Sequence, residues 1–356
     1  MKNSKLDLEI KEALKNWKEL IAGYQIPDNK KAIIQILNSF LPFIALWTLM
    51  YLSLNWSIWI TIALGLVNAF FLVRIFIIQH DCGHQSFFKS KKMNNIIGIV
   101  CSCFSSIPYK YWARVHNFHH GHNGQLEVRE VGDIPTLTVK EYKARNWFGK
   151  LRYRIWRMPV ITFVVAPAYY FTISNRYPMF TKQMKNVKQL IINQMKSNAL
   201  IAVVYVALAL LLGWKKFLFI QLFLILSFGI IAFWFFYVQH QHEASYKHWK
   251  ANWDYLMSAI RGSTYYKLPK VFQWLTGNIG IHHIHHLSSL IPNYNLEKCM
   301  REKPILTKYV TVVTFWESLK MMRHKLWDED EEKMVTFQEA TRLTKMRQLR
   351  NTKQAA

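Results

Sequence analysis

Nine of the fourteen histidines lie in three short stretches whose spacing is that of metal ligands on helices. His80-Asp81-Cys82-Gly83-His84 sets two imidazoles one helical turn apart. His116-Asn117-Phe118-His119-His120 and His282-His283-Ile284-His285-His286 each place three at i, i+3 and i+4. At about 100° per residue each trio shares one face, and His283 points away. A bare face of three imidazoles packs poorly, and a bound cation accounts for it.

Imidazole suits zinc, copper, iron and nickel. One zinc is satisfied by three or four ligands, so eight facing histidines (His80, His84, His116, His119, His120, His282, His285 and His286) are too many for one ion and suit two. The Glu and Glu-x-x-His pattern of soluble di-iron bundles is absent, and Asp81 is the sole carboxylate inside the clusters. The residues therefore predict a histidine-rich dinuclear centre.

The elements that must position these rings are apolar spans. The 356 residues are 51% hydrophobic and 15% aromatic, yet mean hydropathy is only +0.01, because long apolar runs alternate with heavily charged connections. Ile36–Trp56, Ser57–Gln79, Asn198–Trp214 and Phe217–Val238 read as four spans in two hairpins, the second turning at Lys215-Lys216. Asn94–Pro108 and Pro159–Ile173 are apolar but short, and read as re-entrant or interfacial pieces. Arg74, near the end of the second span, is expected to snorkel or to pair with a buried acid. Lys and Arg crowd residues 1–35, 80–197 and 295–356 but not the Leu54–Ser57 connection, which places both ends and the central loop in the cytoplasm. Two crossings per hairpin then bring all three clusters to one face. A single crossing by either short segment would part them.

Three parts are expected: 1–35, an amphipathic lead-in with Leu6, Ile10, Leu14, Trp17 and Ile21 at helical spacing; 36–300, the membrane domain; and 301–356, a charged tail, solvated or lipid-facing. The charged amino terminus precedes no early apolar core, so no signal peptide is expected. Net charge is +25, but the basic residues flank the spans, which points to anionic headgroups and an acidic protein partner rather than nucleic acid. Four cysteines without a CxxC pair suggest buried thiols. No GxGxxG, iron–sulfur or haem motif occurs, so electrons must come from another protein.

The three clusters, their order and the spans between them resemble the membrane fatty acid desaturase family, most closely bacterial acyl-lipid desaturases of the Δ5/Δ12 type. The similarity continues through Gly132-Asp-Ile-Pro-Thr-Leu-Thr-Val-Lys-Glu-Tyr142, Phe236-Tyr-Val-Gln-His240, Trp253-Asp-Tyr255, Tyr265-Tyr-Lys-Leu-Pro269, Gln273-Trp-Leu-Thr-Gly-Asn-Ile-Gly280 and Ile291-Pro-Asn-Tyr294, over residues 30–300. It implies an all-α integral membrane fold with a cytosolic cap, a bacterial cytoplasmic membrane location, and two iron ions on the eight histidines. A ninth ligand is implied from the fourth span. His240 and His242 lie about 200° apart on a helix, so one alone can face the centre, and the resemblance favours His240. Stearoyl-CoA desaturases carry Asn four residues before the matching histidine; Phe236 stands here.

Asp81, Asp133 and Asp254, each in a family-like motif, are expected to orient ligands. His122, His248 and His283 are expected to be second to these or merely polar, and His324 uninvolved. Tyr109, Trp112 and Trp274 would line an acyl tunnel or pack as belt and core. The implied reaction takes hydrogen from two adjacent methylenes of a membrane phospholipid acyl chain, consumes one O2 and two electrons from ferredoxin or flavodoxin, and leaves a cis double bond and water. The rival readings are a membrane di-iron hydroxylase or ketolase of another lipid, and a divalent-metal transporter. The transporter is disfavoured because the histidines lie beyond the span ends and no carboxylate lies within a span.

Overall fold

The computed structural model describes residues 4–179 and 184–355; residues 1–3 of the charged amino terminus, 180–183 of the membrane domain and Ala356 at the tail's end lie outside the described residues. Among the described residues, four helices are long and apolar enough to cross a bilayer: Asn29–Ser53, Ile58–Gly83, Val187–Leu212 and Trp214–His240. The Asp28 carboxylate caps the first by accepting from the backbone of Lys30 and Lys31 at 2.8 and 3.2 Å. The fold is all-α and membrane-embedded, with two hairpins. Val203, Val206, Leu210 and Leu211 on the third span are exposed, as hydrocarbon-facing side chains would be.

The span ends differ from expectation in informative ways. The second helix runs beyond Gln79 through the first histidine cluster, so His80 is rigidly helical. The third starts at Val187 rather than Asn198, because its polar first turns pack on protein: Gln194 Nε2 donates to the carbonyls of Asn175 and Tyr177, both at 2.9 Å. The second hairpin turns at Gly213, whose φ of +84° favours glycine, and not at Lys215-Lys216. Both lysines lie in the first turn of the fourth span, and Lys216 Nζ reaches Asn55 Oδ1 in the first hairpin's turn at 2.7 Å.

The second span is the hub, packed on the first, on the fourth and on the helix Lys91–Ser105. That 15-residue helix is about 22 Å long, too short to cross. A Cβ on its Gly98 would collide with the Tyr109 ring, so glycine there lets Tyr109 enter the core. The Pro159–Ile173 stretch holds a π-turn, Ile161–Val165, and a short helix, Ala166–Thr172. Arg74 neither snorkels nor meets an acid. It is buried, stacks 3.8 Å from the Trp274 ring centroid, and donates to the Trp274 carbonyl and to Asn38 Oδ1.

The remainder forms a cap over the histidine-bearing ends of the spans. Ile10 and Ile21, from the helices Ser4–Ala13 and Trp17–Ala22, and Leu14 from the turn between them are buried with Met257, Ile260, Ile284 and Leu287. The carboxyl segment is not a solvated tail. Thr311–Val313 pairs in parallel with Thr264–Tyr266, Leu326–Asp328 pairs antiparallel with Lys333–Val335, and the helix Phe337–Ala355 follows. Two devices draw it in. Leu326, Trp327, Met334 and Val335 are buried, and Asp328 of the acidic run is held by both ends of the Arg347 guanidinium at 2.8 and 2.9 Å. Elements thus cross both expected boundaries, at 35/36 and 300/301. Among the cysteines Cys82, Cys101 and Cys299 are buried and Cys103 half-buried, none in a disulfide.

Candidate metal centre

Two groups of imidazoles converge where the cap meets the spans. His80, His84, His116, His120 and His285 form one; His119, His240 and His286 form the other; within each, one ligand atom per residue lies within 4.8 Å of every other. His282 adjoins the second group, its Nε2 3.0 Å from His240 Nε2. Helical spacing produces the division. His116 and His120, one turn apart on Tyr109–His122, face the first group, while His119 between them turns to the second. On His282–Leu287 the split is His285 against His282 and His286. The groups share a wall, with the His120 and His286 rings stacked at 4.1 Å.

The outer ring nitrogens are held. His80 Nδ1 donates to Asp81 Oδ1 at 2.9 Å; Asp81 Oδ2 accepts from the backbone N and side-chain Nδ2 of Asn293 at 2.6 and 2.8 Å. Asn117 Oδ1 accepts from His84 Nδ1 at 2.7 Å, and the Gly262 carbonyl from His240 Nδ1 at 3.2 Å. Each bond fixes the tautomer that presents an Nε2 lone pair inward. Asn117, Gly262 and Asn293 escaped the sequence reading, although Asn117 sits inside the second cluster and Asn293 in Ile291-Pro-Asn-Tyr294.

Burial, then the charge of neighbouring imidazoles, pushes His84, His116, His120, His282, His285 and His286 well below the ordinary histidine range. Burial lowers His119 to about 4, opposed by the Asp133 carboxylate. The rings are therefore neutral at physiological pH, the form that ligates metal.

The donor set fits metal ions better than it fits the protein alone. Nitrogens of His84 (Nε2), His285 (both) and His286 (Nε2) are buried with no hydrogen-bond partner, a costly state for a polar atom. His116 and His120 face each other Nε2 to Nε2 at 3.1 Å, and His119 and His240 at 3.3 Å. Two nitrogens each about 2.1 Å from one ion and 90° apart would stand about 3.0 Å from each other.

The other candidates fall outside these groups. Asp133 lies 3.9 Å from Lys247 Nζ and acts on His119 through its charge. Asp254 does not orient a ligand: it caps the helix Tyr255–Arg261 through the Met257 amide at 3.0 Å and pairs with Lys11 at 2.8 Å. His242 is buried among Lys247, Arg261 and His324, with burial lowering it to about 3. His283 meets Thr307 Oγ1 at 3.4 Å, His122 the Phe118 carbonyl at 2.9 Å, and His248 the Tyr246 ring at 4.5 Å. Phe236 packs its ring against His119 and His240, centroids 5.4 and 5.1 Å away, where it shields the second group and offers no ligand atom.

A cavity of about 500 Å³ opens beside the imidazoles, with His80, His116 and His282 in its wall. Its length is apolar: Val73, Phe76, Ile77, Tyr170, Phe171 and Phe233. Trp112 is a wall residue, stacked on His116 at 4.5 Å and 16°. Tyr109 and Trp274 are not. Tyr109 is buried with its hydroxyl on the Cys82 carbonyl at 2.7 Å, and Trp274 lies under Arg74. The missed wall residues come from the second and fourth spans and the Ala166–Thr172 helix, whose inward faces no single segment reveals.

Spans that carry to one end dense imidazoles able to hold metal, beside an apolar cavity, describe a membrane enzyme of long apolar chains. The chain belongs to the fatty acid desaturase family, whose model matches residues 54–316. It is 45% identical over 317 residues to a fatty acid desaturase of Bacillus subtilis (strain 168), covering 89% of each chain. It is 26% identical over 232 residues to the sn-1 oleoyl-lipid 12-desaturase of Synechocystis, covering 63% of each. A Delta(12)-fatty-acid desaturase of Arabidopsis thaliana is 28% identical over 263 residues, 67% of this chain and 64% of that one. The protein is thus a membrane fatty acid desaturase, an oxidoreductase with a histidine cluster able to hold metal.

Proposed function

We propose that the enzyme introduces a cis double bond into the acyl chain of a membrane phospholipid, with two iron ions held by nine histidines. His80, His84, His116, His120 and His285 would hold one, and His119, His240, His282 and His286 the other. The observation that carries the reading is the apolar cavity running up to His80, His116 and His282. Iron bound there supplies the oxidant that an unactivated methylene requires. The balance is one –CH2–CH2– unit, O2, two electrons and two protons giving –CH=CH– and two waters. No side chain acts as nucleophile or base. This chain's residues place the substrate, keep the ligand rings neutral and oriented, and exclude water with Trp112, Phe236 and Tyr170.

The cluster lies at the ends of the spans away from the Leu54–Ser57 and Gly213 turns. The crowding of Lys and Arg on the clustered side supports cytosolic termini and a cytosolic metal site in the bacterial cytoplasmic membrane. The basic surface there suits an acidic electron donor such as ferredoxin or flavodoxin. The acyl-lipid reading draws on the Synechocystis relative's name. Expression in a host lacking desaturases, followed by mapping of double bonds in extracted phospholipids, tests it. New cis-monounsaturated chains are expected; hydroxylated or keto lipids would replace desaturation by the rival oxidation, and an unchanged profile under full electron supply would refute the reading.

A further inference from the structure

The cavity wall is not apolar throughout. Arg157, at the end of the helix Trp147–Trp156, is one of its lining residues and is only 1% exposed. One of its nitrogens is engaged: Nη2 donates to Gln241 Oε1 at 3.0 Å and to the His324 carbonyl at 3.4 Å. Nε and Nη1 are buried with no hydrogen-bond partner. No carboxylate is paired with this guanidinium among the described residues' ion pairs. Lys325 lies beside it, its Nζ also buried and unpartnered, and the two cations stand 5.7 and 5.9 Å from the Tyr237 ring centroid. Burial and the charge of Arg157 lower Lys325 to about 7. The nearby acids do not answer this charge: Asp133 faces Lys247 and its own neighbour's amide, and Glu130 is exposed. A buried, uncompensated guanidinium with free donors is a costly arrangement that an anion would relieve.

The surroundings say where that anion comes from. Trp156, Tyr169 and Met179 also line the cavity and are 49%, 43% and 51% exposed, so it reaches the surface beside these apolar side chains. Trp147, Phe148, Leu151 and Ile155 of the adjoining helix are exposed apolar residues interleaved with Lys150, Arg152 and Arg154, the composition of a helix lying in the headgroup region.

We propose that Arg157, backed by Lys325, anchors the phosphate of a glycerophospholipid that enters from the bilayer with its acyl chain in the cavity. Arg157 is thereby a specificity residue, selecting chains esterified to a phosphate-bearing headgroup. The inference rests on the acyl cavity of the proposed function. Nε and Nη1 are each free to give a phosphate oxygen a charge-assisted bond, and the hold of Gln241 and the His324 carbonyl on Nη2 fixes the guanidinium, and so the headgroup and the register of the chain beside the histidines.

The test uses the full-length protein in detergent and three probes with one acyl chain: palmitoyl lysophosphatidylglycerol, monopalmitoylglycerol and palmitoyl-CoA. Dissociation constants are read from thermal stabilisation against probe concentration. Wild type should bind the lysophospholipid about 10- to 100-fold more tightly than monopalmitoylglycerol, the span of a charge-assisted bond. Arg157→Gln should bring that ratio near one with monopalmitoylglycerol binding unchanged. Arg157→Lys should restore part of it, and Lys325→Gln should lower it less. A ratio near one in wild type, or one that survives Arg157→Gln, would overturn the proposal and leave Arg157 a hydrated core cation. A larger Arg157 dependence for palmitoyl-CoA would overturn the bilayer source in favour of a soluble carrier. Failure of all three probes to bind wild type would instead sink the acyl-cavity reading. Should Arg157→Gln not fold, the wild-type ratio with the Arg157→Lys and Lys325→Gln values decides.

Discussion

Replacing Asp81 with asparagine should weaken metal binding in the first histidine group and leave the second unchanged. The Asp81 carboxylate is buried, accepts from His80 Nδ1 at 2.9 Å, and accepts twice from Asn293 at 2.6 and 2.8 Å. Asparagine keeps the shape but has one acceptor oxygen and an amino group that must face a donor. Bonds to a charged acceptor contribute about 1.5–3 kcal/mol against about 1 for neutral ones, so the exchange should cost about 1–3 kcal/mol at this junction. Loss of such an outer partner typically lowers metal affinity about 10- to 100-fold. The assay is metal retained per chain, measured by mass spectrometry across a chelator titration. Wild type should release its two ions at similar chelator concentrations, and the variant should release one of them at about 10- to 100-fold lower concentration. Asp254→Asn is the control and should match wild type, because Asp254 serves Met257 and Lys11 instead. An unchanged Asp81→Asn titration, or equal loss of both ions, would refute the reasoning.

Other consequences are open to simpler tests. His240→Ala should abolish desaturation while His242→Ala retains most of it, judged by host lipid profiles; the reverse order would exchange their roles. Acid should strip the metal: because burial lowers the folded-state value of His119 to about 4 against an ordinary 6.5, protons are bound more by the unfolded chain, so the native site is stable above pH 6.5 and weakens as pH falls toward 4. Metal content that stays constant across that window would contradict the buried neutral rings. Ala232→Trp should obstruct the cavity wall and shift products toward shorter acyl chains, with unchanged metal content; an unaltered chain-length profile would remove the cavity from the account. Arg347→Ala should release the helix Phe337–Ala355 by leaving buried Asp328 without its cation, a loss of about 1–3 kcal/mol seen as faster tryptic cleavage there.

Local repetition made the proposed metal ligands legible. Spacing of i, i+3 and i+4 picked out the eight facing histidines and turned His283 away, and the structure brings the eight together. What spacing cannot say is which ligand goes to which ion: His119 and His120 are adjacent in sequence yet face different groups. The rings' supports were legible only where they were neighbours in sequence, as with Asp81. Gly262 offers a backbone carbonyl, invisible in residue type, and Asn293 arrives from 212 residues beyond Asp81. Asp254 misled because a carboxylate just before a helix is more simply a cap. The aromatic wall was half-read for a related reason. Trp112 lies one turn before His116 and had to face the site, whereas Tyr109 and Trp274 are taken by the Gly98 gap and the Arg74 guanidinium. The carboxyl segment misled by its charge, since the buried Leu326, Trp327, Met334 and Val335 flank the acidic run and are too few to outweigh it in composition.

Locating the metal itself tests the central claim most directly. Crystals of the iron-loaded enzyme, measured on both sides of the iron absorption edge, should give two anomalous difference peaks. One should lie among His80, His84, His116, His120 and His285, the other among His119, His240, His282 and His286. A single peak, or iron bound anywhere else, would contradict the account.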